Sequence, residues 1–120
     1  MSGFSELLGI EVDSKGTVRV AVTTDLLNRK GTVQGGVFAT LLDSAMGMAA
    51  RKNLSSAYSM STIQLSVTFV EPGWQGDQLV AYANILRQSE RHAMATAKVV
   101  RESDGAVLAH GTGSFAIFPR

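Results

Sequence analysis

Asp43 is a lone charge in a stretch of mostly small or apolar residues, GTVQGGVFATLLDSAMGMAA, which runs from position 31 to position 50. Burying an unpaired carboxylate costs several kcal/mol, so its placement calls for a chemical explanation. An ionised carboxylate can take a proton from water as a general base, or it can attack an electrophilic carbon itself. Asp43 is therefore the first candidate catalytic residue.

Small residues surround Asp43 on the helix that this stretch predicts. Positions three, four or seven residues away stack on the same side of a helix; here they are Gly36, Ala39, Thr40, Met46, Gly47 and Ala50. Such a stripe allows another backbone, a partner helix or a ligand to approach closely. Taken alone, the Gly35-Gly36 pair before the helix is more typical of turn geometry than of a binding site, and Asn28 could simply end a short helical turn.

One long helix and several strands must position these residues. From Val37 to about Arg51 no proline intervenes and most residues are good helix formers, so a helix is predicted to start just after Gly36. In STIQLSVTFVEP, Ile63, Leu65, Val67 and Phe69 are predicted to share the core face of a strand that Pro72 closes. The other predicted elements are a short amphipathic helix in MSGFSELLGIEV, two β pieces in IEVDSKGTVRVAVT, and strands in LVAYANILRQ, RHAMATAKVVRE and VLAHGTGSFAIF.

These elements predict a single α+β domain over residues 1–120. Because the long helix has almost no polar face, an antiparallel sheet of about five strands is expected to cover it nearly all round. The formal net charge of +1 is spread along the chain, which argues against a nucleic-acid partner. No cysteine is available for a disulfide or a nucleophile. The start lacks an export signal and the apolar run is too short to span a bilayer, so we expect a cytoplasmic protein with no membrane partner.

The stretch resembles the signature of the PaaI-type hotdog-fold thioesterases, in the phenylacetate-pathway and 4-hydroxybenzoyl-CoA thioesterase superfamily. In that signature Asn, Gly, His-Gly-Gly and a helical Asp recur at fixed spacing; the matching residues are Asn28, Gly31, Gln34-Gly35-Gly36 and Asp43. STIQLSVTFVEPGWQGDQLVAYANIL and DGAVLAHGTGSFAIF also resemble family segments, so the resemblance covers nearly the whole chain.

The resemblance implies hydrolysis of an acyl-CoA thioester at a site shared between two subunits, without a cofactor. It makes Asp43 the general base or the nucleophile, and the sequence leaves these two routes open. It makes the Gly35 N–H the donor to the oxyanion, a kind of interaction worth roughly 3–4 kcal/mol. Asn28 would bind the water or the thioester carbonyl, and Thr62 would help to hold the water from the second subunit. Gly36 joins the expected substrate-binding residues.

Two residues depart from the family pattern. Gln34 replaces the family histidine, so a titratable donor becomes a neutral amide that can still donate a hydrogen bond. Gly47 stands where the 4-hydroxybenzoyl-CoA branch has a hydroxyl residue. Thr62 alternates with the core residue Ile63, so only an irregular strand start would turn it toward Asp43.

The remaining polar candidates have simpler readings. The RQSER turn is best explained as a solvated charged loop, with Arg91 a weaker candidate for binding a CoA phosphate. His92 and His110 lie in strand patterns without a carboxylate or a second histidine at ligand spacing, so no metal site is predicted.

Two other functions share this fold. A non-catalytic acyl-CoA or acyl-carrier binding module would keep the pocket without turnover, and Gln34 keeps that alternative open. A dehydratase or hydratase would need a histidine base, and neither histidine lies in the loop or the helix. A helix this apolar also predicts self-association, at least to a homodimer and further to a homotetramer.

Overall fold

The computed structural model describes residues 3–120, so Met1 and Ser2, the first two residues of the predicted amphipathic segment, lie outside it. The helices are α1 (Phe4–Leu8) and α2 (Gly35–Arg51), with a 3-10 turn at Thr24–Leu26. The strands are β1 (Glu11–Val12), β2 (Val18–Ala21), β3 (Tyr58–Phe69), β4 (Gln78–Gln88), β5 (His92–Arg101) and β6 (Val107–Pro119). The predicted order of elements is confirmed, and α2 begins at Gly35, two residues earlier than predicted.

All six strands form one antiparallel sheet in the order β1-β2-β4-β5-β6-β3. The two-residue β1 extends the expected sheet of about five strands to six. β1 and β3 are the edge strands, and β3 pairs with β6 along Tyr58–Phe69. The long edge strand therefore leaves one side without a partner within the sheet.

Helix α2 packs against the sheet with one side only. Its buried residues are Val37, Phe38, Leu41, Leu42, Ala45, Met46 and Ala50. The opposite side, which includes Thr40, Asp43, Ser44 and Gly47, is only half-buried. The expectation that the sheet covers the helix nearly all round is therefore wrong, because a single curled sheet reaches only one side. Met46 and Ala50 belong to the core and not to the stripe around Asp43.

Strand β3 contains a bulge that changes which residues face the helix. Thr62 pairs with Phe115 and Gln64 pairs with Ser114, so Ile63 is an extra residue without a partner. Tyr58 and Met60 pack on the core before the bulge, and Leu65 and Val67 pack on it afterwards. The predicted core positions of Ile63 and Phe69 are wrong, since these residues are 59% and 57% exposed.

Candidate active site

Asp43 and Thr62 form a hydrogen-bonded pair between helix α2 and strand β3. The Thr62 Oγ1 donates to Asp43 Oδ1 at 2.8 Å. Asp43 is half-buried on the third turn of the helix. Within residues 3–120, no basic side chain lies within ion-pairing distance of its carboxylate. A carboxylate held by a hydroxyl donor, without a countercharge, keeps lone pairs available for a proton or an electrophile.

The bulge at Ile63 produces this contact. A regular strand with Leu65 and Val67 on the core would turn Thr62 away from the helix. The extra residue reverses the alternation, so Thr62 faces α2 on the same side as Met60. Thr62 and Asp43 thus come from one chain. The expectation that the Thr62 beside a given Asp43 belongs to a second subunit is therefore wrong.

Asp43 and Thr62 open onto a cavity of about 300 Å³. Its other lining residues are Ser44, Gly47, Met48, Arg51, Met60 and Phe115. Apart from Ser44 and Arg51, these residues present an apolar wall. The carboxylate therefore lies beside a space that suits an apolar group.

Gly35 and Gly36 form the first turn of α2. Gln34 is the N-cap, and its side chain makes no capping hydrogen bond. Among the described residues, no acceptor takes the N–H of Gly35 or Gly36, as is usual for a first helical turn. A Cβ at Gly35 would lie 3.1 Å from the Phe69 ring, so the close packing of this aromatic side chain favours glycine. The helix thus presents unused donors at its positive end.

The Gly35 end of the helix borders a second cavity, of about 320 Å³. Val33, Gly35, Phe38, Phe69, Val70, Glu71 and Pro72 line it. Eight residues separate Gly35 from Asp43, which corresponds to about 12 Å along a helix. Within one chain, the Gly35 N–H and the Asp43 carboxylate therefore lie on different cavities and do not converge on one small group.

Asn28 organises the loop before the helix. Its Oδ1 accepts from the N–H groups of Lys30 (2.9 Å) and Thr32 (3.2 Å), and its Nδ2 donates to Thr32 Oγ1 (2.9 Å). One Nδ2 hydrogen remains for a ligand. Asn28 and Gln34 line a shallow depression of the same loop, immediately before Gly35. The predicted site residues Asn28, Gln34 and Gly35 therefore lie near one another, and they lie away from Asp43 and Thr62.

The loop is tied to the segment after β3. Val33 N–H donates to the carbonyl of Gly73 at 2.9 Å, and Gln34 N–H donates to the carbonyl of Leu26 at 2.9 Å. Thr32 forms an isolated bridge with Trp74. These bonds fix the direction in which the chain enters the helix.

Arg91 is not brought to either cavity. It is exposed in the turn between β4 and β5, where its carbonyl accepts the N–H of Ile117 at 2.9 Å. His110 Nε2 lies 3.0 Å from Thr96 Oγ1 on the sheet. In the part of the chain that the structure describes, no three side chains of His, Cys, Asp or Glu cluster as metal ligands, and no helix is long and apolar enough to cross a membrane.

Sequence reasoning missed Arg51, Met60 and Phe115 as lining residues of the Asp43 cavity. Arg51 had a readable signal, since Asp43, Gly47 and Arg51 follow one another at intervals of four and so lie along one side of a helix. No sequence pattern indicated Met60 or Phe115, because the positions of these two residues depend on the pairing of β3 with β6.

The long helix packed on one curled antiparallel sheet is the hotdog fold that the resemblance predicts. Residues 30–108 match the family model described as the thioesterase superfamily, so the chain belongs to this superfamily. The predicted fold is confirmed, and the prediction of a thioester hydrolase is confirmed at the level of the family.

Relatives with known names agree with this assignment. The crystal structure of a Bacillus halodurans protein with CoA superposes with a TM-score of 0.89 at 33% identity, over 98% of this chain and 77% of that chain. Acyl-coenzyme A thioesterase 13 of Mus musculus is 32% identical over 84 residues, which cover 70% of this chain and 59% of the mouse protein. Acyl-coenzyme A thioesterase PaaI of Escherichia coli is 28% identical over 108 residues, which cover 86% and 74% of the respective chains.

Proposed function

We propose that this protein hydrolyses acyl-CoA thioesters to a free acid and CoA, with Asp43 as the catalytic carboxylate. The observation that carries this proposal is the Asp43–Thr62 hydrogen bond at the edge of an apolar cavity. The relatives named as acyl-coenzyme A thioesterases, and the neighbour with CoA, support the substrate class.

In the general-base route, Asp43 takes a proton from water while the water oxygen bonds to the thioester carbonyl carbon. The carbonyl π electrons move to oxygen and form an oxyanion. When the intermediate collapses, the C–S bond breaks, and the departing CoA sulfur takes the proton back from the Asp43 carboxyl. Water and the ester supply every atom, so the reaction needs no cofactor. In the alternative route, an Asp43 oxygen bonds to the thioester carbonyl carbon, the C–S bond breaks and CoA leaves as the thiolate; water then hydrolyses the resulting mixed anhydride to the free acid and Asp43.

We infer that two copies of the chain complete each site. The oxyanion needs a donor, and the free N–H of Gly35 lies at the positive end of α2. Because Gly35 and Asp43 are about 12 Å apart along one helix, the Gly35 that serves a given Asp43 comes from the other copy. Asn28 and Gln34 lie beside Gly35, so in each site they come from the same copy as Gly35. Thr62 comes from the same copy as Asp43.

The activity is tested by thiol release from short, aromatic and long acyl-CoA esters. We expect turnover by the wild-type protein and a loss of roughly 10²-fold to 10⁴-fold in Asp43→Asn. Asp25→Asn removes an exposed carboxylate from the 3-10 turn and serves as the matched control, with turnover unchanged. Saturable acyl-CoA binding without turnover of any ester would favour the non-catalytic binding module.

Sharing of the site is tested by mixing two inactive variants, Asp43→Asn and Asn28→Ala, after joint unfolding and refolding. If Asp43 of one copy works with Asn28 of the other, each mixed dimer has one intact site, and the mixture recovers about a quarter of wild-type activity. If one chain supplied both residues, every site would carry a defect and no activity would return.

A further inference from the structure

Arg51 lies in the same cavity as Asp43, at the far end of the helix. Eight residues separate the two, or about 12 Å of helix. Strand β3 gives an independent measure: Arg51 binds the carbonyl of Tyr58, four residues before Thr62, or about 13 Å along a strand. Asp43 and Arg51 thus line opposite ends of the cavity.

The guanidinium is held in place without an acidic partner. Arg51 Nη1 donates to the carbonyl of Tyr58 at 2.8 Å, and Nη2 donates to the carbonyl of Ser55 at 2.6 Å. Arginine has five N–H donors, so several remain free. Among residues 3–120, the ion pairs involve Arg19 and Arg101, and no carboxylate pairs with Arg51. Its charge is therefore fixed in position but not neutralised.

Gly47 keeps the floor of the cavity open between these two ends. Glycine inside a helix costs about 1 kcal/mol relative to alanine. The fold does not require it, since a Cβ at this position would lie 3.9 Å from the Phe115 ring, an ordinary contact. The missing side chain leaves room between Asp43 and Arg51, where Met48, Met60 and Phe115 supply apolar walls.

We propose that Arg51 selects acyl groups that carry a carboxylate at the end remote from the thioester. This inference rests on the proposed thioesterase function. A cavity of about 300 Å³ with apolar walls suits the acyl group of the ester. With the thioester carbonyl beside Asp43, the acyl chain lies along the apolar walls and its terminal carboxylate accepts from the free Arg51 donors. A charged bidentate partner suits a guanidinium better than any neutral group.

The test compares octanoyl-CoA with suberoyl-CoA, which has the same chain length and a terminal carboxylate. For the wild-type protein we expect kcat/KM to be roughly tenfold or more higher for suberoyl-CoA, the effect of one hydrogen bond to a charged group. Arg51→Met should abolish this preference by lowering kcat/KM for suberoyl-CoA far more than for octanoyl-CoA, and Arg51→Lys should restore part of it. Lys98→Met removes an exposed positive charge on β5 and should leave the preference intact.

Each contrary result has a distinct meaning. Equal kcat/KM for the two esters in the wild-type protein, or a preference that survives in Arg51→Met, overturns the role of Arg51 and leaves the thioesterase proposal standing. A rise in KM for both esters, together with weaker binding of CoA itself, assigns Arg51 to a CoA phosphate and overturns the inference. No hydrolysis of either ester, when the short or aromatic esters are hydrolysed, overturns this inference alone; no hydrolysis of any of these esters overturns the thioesterase proposal and this inference with it. Thermal melting of each variant checks that Arg51→Met remains folded; if it unfolds, the Arg51→Lys profile decides.

Discussion

Thr62 restrains the Asp43 carboxylate through one of its two oxygens and leaves the other free. A hydroxyl donor on a charged acceptor contributes about 1.5–3 kcal/mol, which is enough to hold one side-chain orientation. Because the bond joins α2 to β3, any movement of the strand relative to the helix also moves the acid.

Thr62→Val removes this donor and keeps the shape of the side chain. We expect kcat to fall roughly tenfold with little change in KM, because the acid loses its orientation and the cavity does not change. Thr62→Ser keeps the hydroxyl and should recover most of the rate. Steady-state thiol release measures both, with Thr68→Val, an exposed position of the same strand, as the control. A wild-type kcat in Thr62→Val would contradict an orienting role.

The sequence was sufficient to single out Asp43, because no other acid occurs in the long apolar stretch. It was not sufficient to orient Thr62, since the alternation of β3 predicts the wrong side of the strand. The bulge that corrects this orientation depends on how β3 pairs with β6, a contact between residues about fifty positions apart in the chain. Local patterns do not contain such information.

Helix α2 combines a buried apolar side with a half-exposed side of small residues. From the sequence these two sides looked alike, because alanine and methionine occur on both. Only packing against the sheet distinguishes Met46, which is fully buried, from Gly47, which lines the cavity. The existence and length of the helix could be predicted, but not the side that remains open.

Gly47→Ala tests whether glycine at this position serves the cavity or the fold. We expect the free energy of unfolding to rise by about 1 kcal/mol, because alanine favours the helix and meets no close neighbour. At the same time the cavity narrows, so kcat/KM for bulky acyl groups should fall. Urea unfolding and thiol release measure the two effects. A loss of stability would show that the fold itself needs glycine there.

The hairpin between β5 and β6 is held by a charged cluster around Arg101. Hydrogen bonds from the Arg101 guanidinium and from the Ala106 N–H lower the pKa of Asp104. Asp77 and Glu71 also lie within ion-pairing distance of Arg101, which ties the hairpin to the segment after β3. That segment in turn holds Val33, two residues before Gly35.

This cluster predicts a pH-dependent contribution to stability. A carboxyl whose folded pKa is lowered stabilises the native state fully above the ordinary carboxyl range near pH 4, and the contribution is lost as the pH falls through the lowered pKa. Asp104→Asn should therefore lower the urea midpoint at pH 7, and the difference from the wild-type protein should shrink below pH 4. Asp25→Asn is the control. A difference that stays constant over this range would contradict the assignment.

At the scale of the whole molecule, strand β3 leaves a long edge exposed. β3 pairs only with β6 in the sheet, and Ile63, Phe69 and Val70 are each more than half exposed along or just beyond it. Unpaired strand edges next to apolar side chains favour association with another copy. This agrees with the proposal that a second copy supplies the Gly35 that serves each Asp43.

We expect the wild-type protein to be at least a dimer by size-exclusion chromatography with light scattering. Ile63→Arg places a charge at the β3 edge and should shift the protein toward the monomer, with a parallel loss of thiol release. Leu86→Arg introduces the same charge at a similarly exposed position of β4, away from that edge, and should remain at least dimeric. A wild-type monomer with full activity would contradict a shared site.

The extra residue in β3 also sets a limit on which insertions and deletions this protein can tolerate. Deleting Ile63 would remove the bulge and leave a strand whose side chains alternate regularly between the two sides of the sheet. With Leu65 and Val67 anchored in the core, Thr62 would keep facing α2, because its pairing with Phe115 and that of Gln64 with Ser114 would become consecutive steps of a regular strand. A chain shortened by this one position would keep its fold, its acid and the hydroxyl that aims the acid, whereas the hydroxyl would be lost from the site if Ile63 itself entered the regular alternation of the strand.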